Sequence, residues 1–289
     1  MTPQNAGVCA VTGASGYVGS IIVQALRPHI PVVEMVRNPS SASAIQWSLD
    51  SREGIQETLQ AHNVRTLVHA AWEMRATTLR EMEQSCVQGS AALFEAARRA
   101  GVERIVFIST ISAFDSCQSA YGKTKLSVEK LLQGASVVLR PGLVFGPRPG
   151  GVFGGIRNQV RNSRILPIIG SGHNPQYLLH EQTLGQSVRR AVSGEFDQTR
   201  GFPITLAHPK PWPFRDLVRS IAASENRQVT LVPVPWPVLF AGIRTGEALG
   251  LKLPFRSDSI VSFVHYNRNP DFAPQRSLGI EPIPYLPSC

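Results

Sequence analysis

Tyr121 and Lys125 stand four residues apart in Tyr121-Gly122-Lys123-Thr124-Lys125, eleven residues after Thr110 in the hydroxyl-bearing run Ile108-Ser109-Thr110-Ile111-Ser112. On a helix that opens at Tyr121, an i, i+4 spacing puts both side chains on one face. A tyrosine is a poor base near neutrality because its reference pKa is about 10, and desolvation raises it further. A neighbouring ammonium favours the phenolate and, helped by a second positive charge, would bring the phenol into a range useful for proton transfer. The chemistry on offer is acid/base transfer at an oxygen. The same spacing also fits a solvated helix that starts with an aromatic residue and carries lysines.

What must position this pair is set out near the start of the chain. Val8-Cys9-Ala10-Val11 reads as a strand, Ile21 to Leu26 as a helix, and between them lies Thr12-Gly13-Ala14-Ser15-Gly16-Tyr17-Val18-Gly19. Three glycines at this spacing have a steric purpose: Gly13 permits a tight turn, Gly16 lets a pyrophosphate approach the backbone, and Gly19 lets helix and strand pack closely. The anion would rest on the positive end of the helix. A glycine turn can also serve merely to connect two elements. Pro31 to Arg37 reads as a second strand, closed by Asn38-Pro39-Ser40. In dinucleotide-binding folds an acidic residue about 20 positions past the glycines takes a ribose hydroxyl, whereas an arginine nearby accommodates a 2′-phosphate. Val36 occupies the expected acidic place and Arg37 follows it, which favours NADP(H) over NAD(H). Glu34 competes if the strand ends earlier, and Arg37 also fits a solvated strand-end charge.

Strand and helix then alternate. Ile45 to Leu49 is a weak strand, about Arg52 to Ala61 a helix, Arg65 to Ala71 a strand ending in small residues, Arg75 to Ala100 a long helical pattern stopped by Gly101, and Val102 to Ser109 a near-continuous apolar strand. A strand from Val137 to Arg140 turns at Pro141-Gly142. Such alternation predicts an α/β fold with a Rossmann-type doubly wound parallel sheet and a ligand at the carboxyl ends of its strands. Residues 1–150 are expected to form the nucleotide-binding domain and 151–289 mainly a smaller substrate lobe, with part of the chain returning to the sheet. Leu184 to Val192 and Pro213 to Ala223 read as helices, and the proline-rich tail from Val232 as loops with short helices.

The 289 residues are 43% hydrophobic and 17% charged, an ordinary globular balance, and their net charge of +9 comes from dispersed basic residues with no recognised nucleic-acid module. Attraction of phosphorylated small ligands is the better reading. Cys9, Cys86, Cys117 and Cys289 lack metal-ligand or disulfide spacing, so no metal is expected and a reducing cytoplasm fits. The first strand begins too early to leave room for a signal peptide, and no apolar run reaches the roughly 18 residues of a spanning helix, so no membrane partner is expected.

Four ordered motifs make the chain resemble the extended short-chain dehydrogenase/reductase superfamily, in its NAD-dependent epimerase/dehydratase branch: the glycine turn, His69-Ala70-Ala71, the strand ending Ser109-Thr110 with Tyr121-x-x-x-Lys125, and Arg140-Pro141-Gly142-Leu143-Val144-Phe145-Gly146-Pro147. The likeness is strong over about residues 7 to 150 and weaker to about 195. It implies Tyr121 as catalytic acid/base, Lys125 as its modulator and a ligand of the nicotinamide ribose, and Thr110, with Ser112 as alternative, as the hydroxyl orienting the substrate oxygen. It implies a cofactor set of Gly13, Ser15, Gly16, Tyr17, Val18 and Gly19 at the turn, Arg37, Ser48 and Leu49 on the adenosine side, and His69, Ala70, Ala71, Tyr121, Lys125, Pro141 and Gly142 toward the nicotinamide. It also implies a homodimer through the helices of Arg75–Ala100 and Tyr121–Gln133.

Departures narrow the chemistry. Ile111 and Ser112 stand where sugar-nucleotide dehydratases of the branch carry an acidic pair, so dehydration is disfavoured. Ser48 replaces an adenine-contacting aspartate, the interval from Thr110 to Tyr121 is short, and the acid expected after the 177–180 strand is missing at Gln182-Thr183. Arg157, Arg161 and Arg164 would share a helical face suited to a nucleotide-sugar diphosphate, or form a solvated basic face. Trp72, Phe145, Phe153, Trp236 and Phe255 are candidate pocket aromatics, His180 a core or pocket residue. The expected function is interconversion of a secondary alcohol and a ketone by hydride transfer with NADP(H) or NAD(H), on a keto-sugar or nucleotide sugar as reductase or epimerase. The alternatives are an NADPH-dependent reductase of hydrophobic ketones, of the steroid or flavonoid type, and a non-catalytic NADP(H)-binding regulator.

Overall fold

The computed structural model describes residues 7–287 apart from residues 75, 77, 133, 135, 149, 252 and 254. β1 (Val8–Thr12) passes through the glycine turn into α1 (Tyr17–Leu26), and β2 (Val32–Val36) returns beside it with Ala10 opposite Val33. β3 (Ile45–Gln46) adds a two-residue edge, shorter than the expected strand, before α2 (Ile55–Ala61) and β4 (Val64–His69), which pairs with the other side of β1. The next helical column is α3 (Leu79–Met82), a π-turn over Glu83–Val87, and α4 (Gln88–Arg99). Its start at Leu79 is fixed by a reciprocal capping box between Thr78 and Glu81. The expected first residue, Arg75, lies outside the described residues.

β5 (Arg104–Ile108), α5 (Ala120–Leu131) and β6 (Val137–Pro141) continue the alternation. After β7 (Leu143–Phe145) the chain builds a lobe from α6 (Gly151–Asn162), β8 (Ile165–Ile169), β9 (Pro175–Gln176) and β10 (Leu178–His180). It returns through α7 (Glu181–Val192) and β11 (Ile204–Leu206), then leaves again as β12 (Trp212–Pro213), α8 (Phe214–Ser224), β13 (Thr230–Val234), α9 (Trp236–Ala248), α10 (Ser257–Val264) and α11 (Ala273–Ser277).

The main sheet has seven parallel strands in the order β11-β6-β5-β4-β1-β2-β3. Parallel crossovers put helices on both faces, which explains why its strands are apolar throughout. Ile22, Leu184 and Val188 from α1 and α7 close one face; Leu59, Leu93 and Val128 from α2, α4 and α5 close the other. The lobe has its own core, with Phe145, Phe153, Leu217 and Ile221. Phe145 and Phe153 are therefore packing residues.

The tail departs from the expectation of short helices: α9 runs 13 residues. Its prolines sit at the N-cap and in the first turn, where a missing N–H costs nothing and a fixed φ suits the helix. Trp236, at its start, meets Phe240 and His265 edge-on. No helix among the described residues is long and apolar enough to cross a membrane.

Candidate active site

α5 owes its start to two carboxylate and hydroxyl caps. The Ser119 hydroxyl accepts the Gly122 N–H at 3.1 Å, and Asp258 on α10 accepts the N–H groups of Ala120 at 2.7 Å and Tyr121 at 3.0 Å. The first backbone donors of the helix are thereby satisfied, and an acid rests on its positive end. Further along, Glu129 receives the Arg140 guanidinium at 2.6 and 2.9 Å and the Ser109 hydroxyl, fastening α5 to the ends of β5 and β6.

This framework brings Thr110, Tyr121 and Lys125 to one wall of a cleft of about 790 Å³. Burial pushes the Tyr121 phenol up to about 12, and the neighbouring Thr110 hydroxyl offsets only part of that rise. Lys125 donates to the Ile108 carbonyl at 2.7 Å, and its ammonium lies 3.8 Å from the ring centre of Trp72 and 4.7 Å from that of Phe107. Burial pulls it down to about 7. The expected lowering of the Tyr121 pKa by Lys125 is absent within the protein alone: the ammonium is drawn to a carbonyl and two aromatic faces, and desolvation dominates both groups. Ser112 also lines the cleft, and its hydroxyl accepts from Ser262 of α10 at 3.0 Å.

Trp72 does line the site, and stands edge-on to Tyr121 at 6.1 Å. The Glu73 N–H next to it donates to the thiol of Cys86 at 3.4 Å, so the π-turn that buries Cys86 helps hold Trp72 over the lysine. Such turns recur where a helix must reshape itself around a site.

The cofactor residues fit a dinucleotide. Gly13 has φ of +67°, and a Cβ there would lie 2.8 Å from the Ala71 backbone; a Cβ on Gly19 would lie 2.0 Å from the Gly13 carbonyl. α1 begins at Gly16 with no side-chain cap and no acid in its first turn, leaving its dipole for an anion. Ser15, Gly16, Tyr17, Val18, Gly19, Arg37, Ser48, Leu49, Ala70, Ala71, Pro141 and Gly142 all border the same cleft. Arg37 reaches Glu73 at 3.3 Å through an exposed pair, whereas Glu34 is turned to Arg27 and away from the cleft lining.

His69 corrects the expectation: it does not line the cleft but is wholly buried beneath it. Thr12 Oγ1 accepts the N–H groups of Ala70 and Ala71, both at 3.1 Å, so its own proton goes to His69 Nδ1 at 2.8 Å. That leaves Nε2–H to donate to Ser90 at 2.9 Å. The imidazole is a neutral strut tying β4 to α4, and burial lowers its pKa to about 3.

The arginine row is also corrected. α6 ends at Asn162, before Arg164, while Arg157 and Arg161 both pair with Glu225 at 2.8 and 2.6 Å and take no part in the cleft wall. His180 caps α7 by accepting the Gln182 N–H and faces Phe145 at 5.0 Å, and the acid missed at 182–183 is present one residue earlier, as Glu181. Unforeseen lining residues are Asp50, Glu73 and Tyr177, and, from α10 and the segment after it, Ser259, Ser262, Phe263 and Tyr266. Phe255 is not among them.

Residues 9–180 match the NAD dependent epimerase/dehydratase family. The chain is 27% identical over 175 residues to ceramide reductase of Caulobacter vibrioides (strain NA1000 / CB15N), covering 56% of this chain and 54% of that protein. It is 25% identical over 177 residues to UDP-glucose 4-epimerase of Azospirillum brasilense, covering 50% and 51% respectively. The matched stretch spans about half the length of these curated relatives. Among solved structures, MoeE5 in complex with UDP-glucose and NAD is similar in fold, with a TM-score of 0.66 and 22% identity over 79% of this chain and 85% of that one. The family match takes in the glycine turn, Thr110, Tyr121 and Lys125 and extends over more than half of the 289 residues, so the chain belongs to the NAD-dependent epimerase/dehydratase family.

Proposed function

We propose that the protein is an NADP(H)-linked oxidoreductase that interconverts a secondary alcohol and a ketone. The observation that carries the reading is the convergence of Thr110, Tyr121 and Lys125, the last two on one helix, with the glycine turn on a single cleft. A nicotinamide nucleotide, when bound, supplies or accepts the hydride. In the reducing direction Tyr121 gives its proton to the carbonyl oxygen as the carbinol C–H bond forms, and Thr110 orients that oxygen. Burial keeps the phenol protonated, which suits a donor. Lys125 has three N–H donors and spends one on Ile108, leaving the others for ribose hydroxyls.

Arg37 supports NADP(H) over NAD(H): it borders the cleft where a 2′-phosphate would lie, and its exposed pair with Glu73 is a weak competitor. Net reduction accords with the ceramide reductase among its relatives. The UDP-glucose 4-epimerase relative favours a second reading, in which the same residues act twice on a tightly held nucleotide. Mass spectrometry of the nucleotide retained by native protein separates the two: NADP is expected, and firmly held NAD would contradict this choice. We infer a homodimer through α3, α4 and α5, where Leu79 and Leu131 are exposed; a monomer in sedimentation would refute it.

A further inference from the structure

We propose that the substrate half of the cleft takes an uncharged, lipophilic ketone or its alcohol and not a nucleotide-linked sugar, an assignment that rests on the oxidoreductase reading above. Beyond Tyr121 the wall is carbon-rich: Met74, Leu143, Val152, Tyr177, Phe263 and Tyr266 border it. Its polar groups are neutral, and two of them bond within the protein. Ser262 donates to Ser112 at 3.0 Å, and the Gln176 amide donates to the Pro175 carbonyl at 2.9 Å.

A nucleotide sugar brings a diphosphate, and a buried dianion needs cations or helix N-termini to replace its water. Among the described lining residues the charged ones are Arg37, Asp50, Glu73 and Lys125. Arg37 and Asp50 follow β2 and β3, on the side of the cleft assigned to the adenosine half of the cofactor; Glu73 is an acid that pairs with Arg37, and Lys125 is assigned to Ile108 and the nicotinamide ribose. Four of the lobe's guanidinium groups rest on protein acceptors, Arg157 and Arg161 on Glu225, Arg148 on Glu181, and Arg256 on the carbonyls of Met74 and Ala76, and Arg164, Arg215 and Arg268 do not line the cleft. Two helices present uncapped starts to the cleft, α1 and α6. That of α6 lies against the Tyr17 ring, which a Cβ on Gly150 would meet at 2.3 Å, and so starts beside the glycine turn assigned to the cofactor's pyrophosphate.

The test compares two kinds of ketone with the purified full-length protein and NADPH. The uncharged probes are 2-undecanone and acetophenone; the charged one is a UDP-linked 4-keto sugar. kcat/KM should favour the uncharged ketones by about a hundredfold or more. A parallel binding arm uses Tyr121→Phe loaded with NADP⁺, whose melting temperature should rise with 2-undecanol and not with UDP-glucose. Phe263→Asp should raise KM for 2-undecanone at least about tenfold with NADPH affinity unchanged, and Phe263→Leu should restore it. Turnover of the UDP-linked ketone in preference to the neutral ones, or protection by UDP-glucose and not by 2-undecanol, would overturn the assignment while leaving the oxidoreductase reading intact. Selective binding of the uncharged alcohol with no turnover of any ketone would instead sink the oxidoreductase reading alone.

Discussion

The carboxylate of Asp258 accepts the backbone N–H of Tyr121 at 3.0 Å across 137 residues of chain. Because the same carboxylate holds Ala120, the lobe fixes where the helix of the proposed acid begins. Asp258→Ala removes a charged cap worth about 1–2 kcal/mol and frees two backbone donors. We expect kcat to fall about tenfold with little change in NADPH affinity, and Asp258→Asn to recover most of the loss. Equal kcat in all three proteins would show that the clamp does not position Tyr121.

The proposed NADP(H) preference rests on Arg37. A charge-assisted contact from it to a 2′-phosphate would be worth about 1.5–3 kcal/mol, more than its exposed pair with Glu73. Arg37→Ala should therefore raise KM for NADPH by about 10- to 100-fold and leave KM for NADH near its starting value. A parallel change for both nucleotides would remove the basis for the NADP(H) preference.

What the sequence made legible was local. The glycine turn, the Tyr121–Lys125 spacing and the strand-helix alternation each depend on neighbours within a few residues, and such signals survive without tertiary knowledge. Asp258, Ser262 and Phe263 could not be found this way, because their relation to Tyr121 and Ser112 exists only once α10 packs on α5. His69 shows the converse: its place in a motif was legible, but its burial was not, since that depends on the opposed hydroxyls of Thr12 and Ser90. Arg157 and Arg161 had the right spacing for one face, yet Glu225 on the neighbouring helix end determines which way that face points.

His69 makes a prediction about acid stability. Its pKa is about 3 in the folded protein against 6.5 for the free side chain, so between these values the unfolded chain binds more protons. Stability must rise with pH across that window and be lost on acidification through it. His69→Gln keeps a donor and an acceptor but cannot take up the proton. The melting temperature of the variant should fall less steeply than that of the parent between pH 6.5 and about 3.5; identical slopes would show that His69 does not carry the effect.

The raised phenol gives the two reaction directions different pH profiles. With Tyr121 pushed up to about 12, its proton is available for ketone reduction throughout the neutral range. Alcohol oxidation needs the phenolate and should accelerate as pH rises, by up to about tenfold per unit where that ionisation alone is limiting. Measuring kcat/KM in both directions checks this: an oxidation rate that falls on alkalinisation would contradict it.

The most direct measurement is transfer of deuterium from NADPH labelled at its reactive carbon into the carbinol carbon of the product, in the native protein and in Tyr121→Phe. The label should appear in the alcohol, and the Phe variant should slow its appearance by about 10²- to 10⁴-fold while binding NADPH as tightly as before. NADPH bound without transfer to any ketone, or transfer at full rate in Tyr121→Phe, would contradict the assignment of Tyr121 as the acid of a hydride-transfer site.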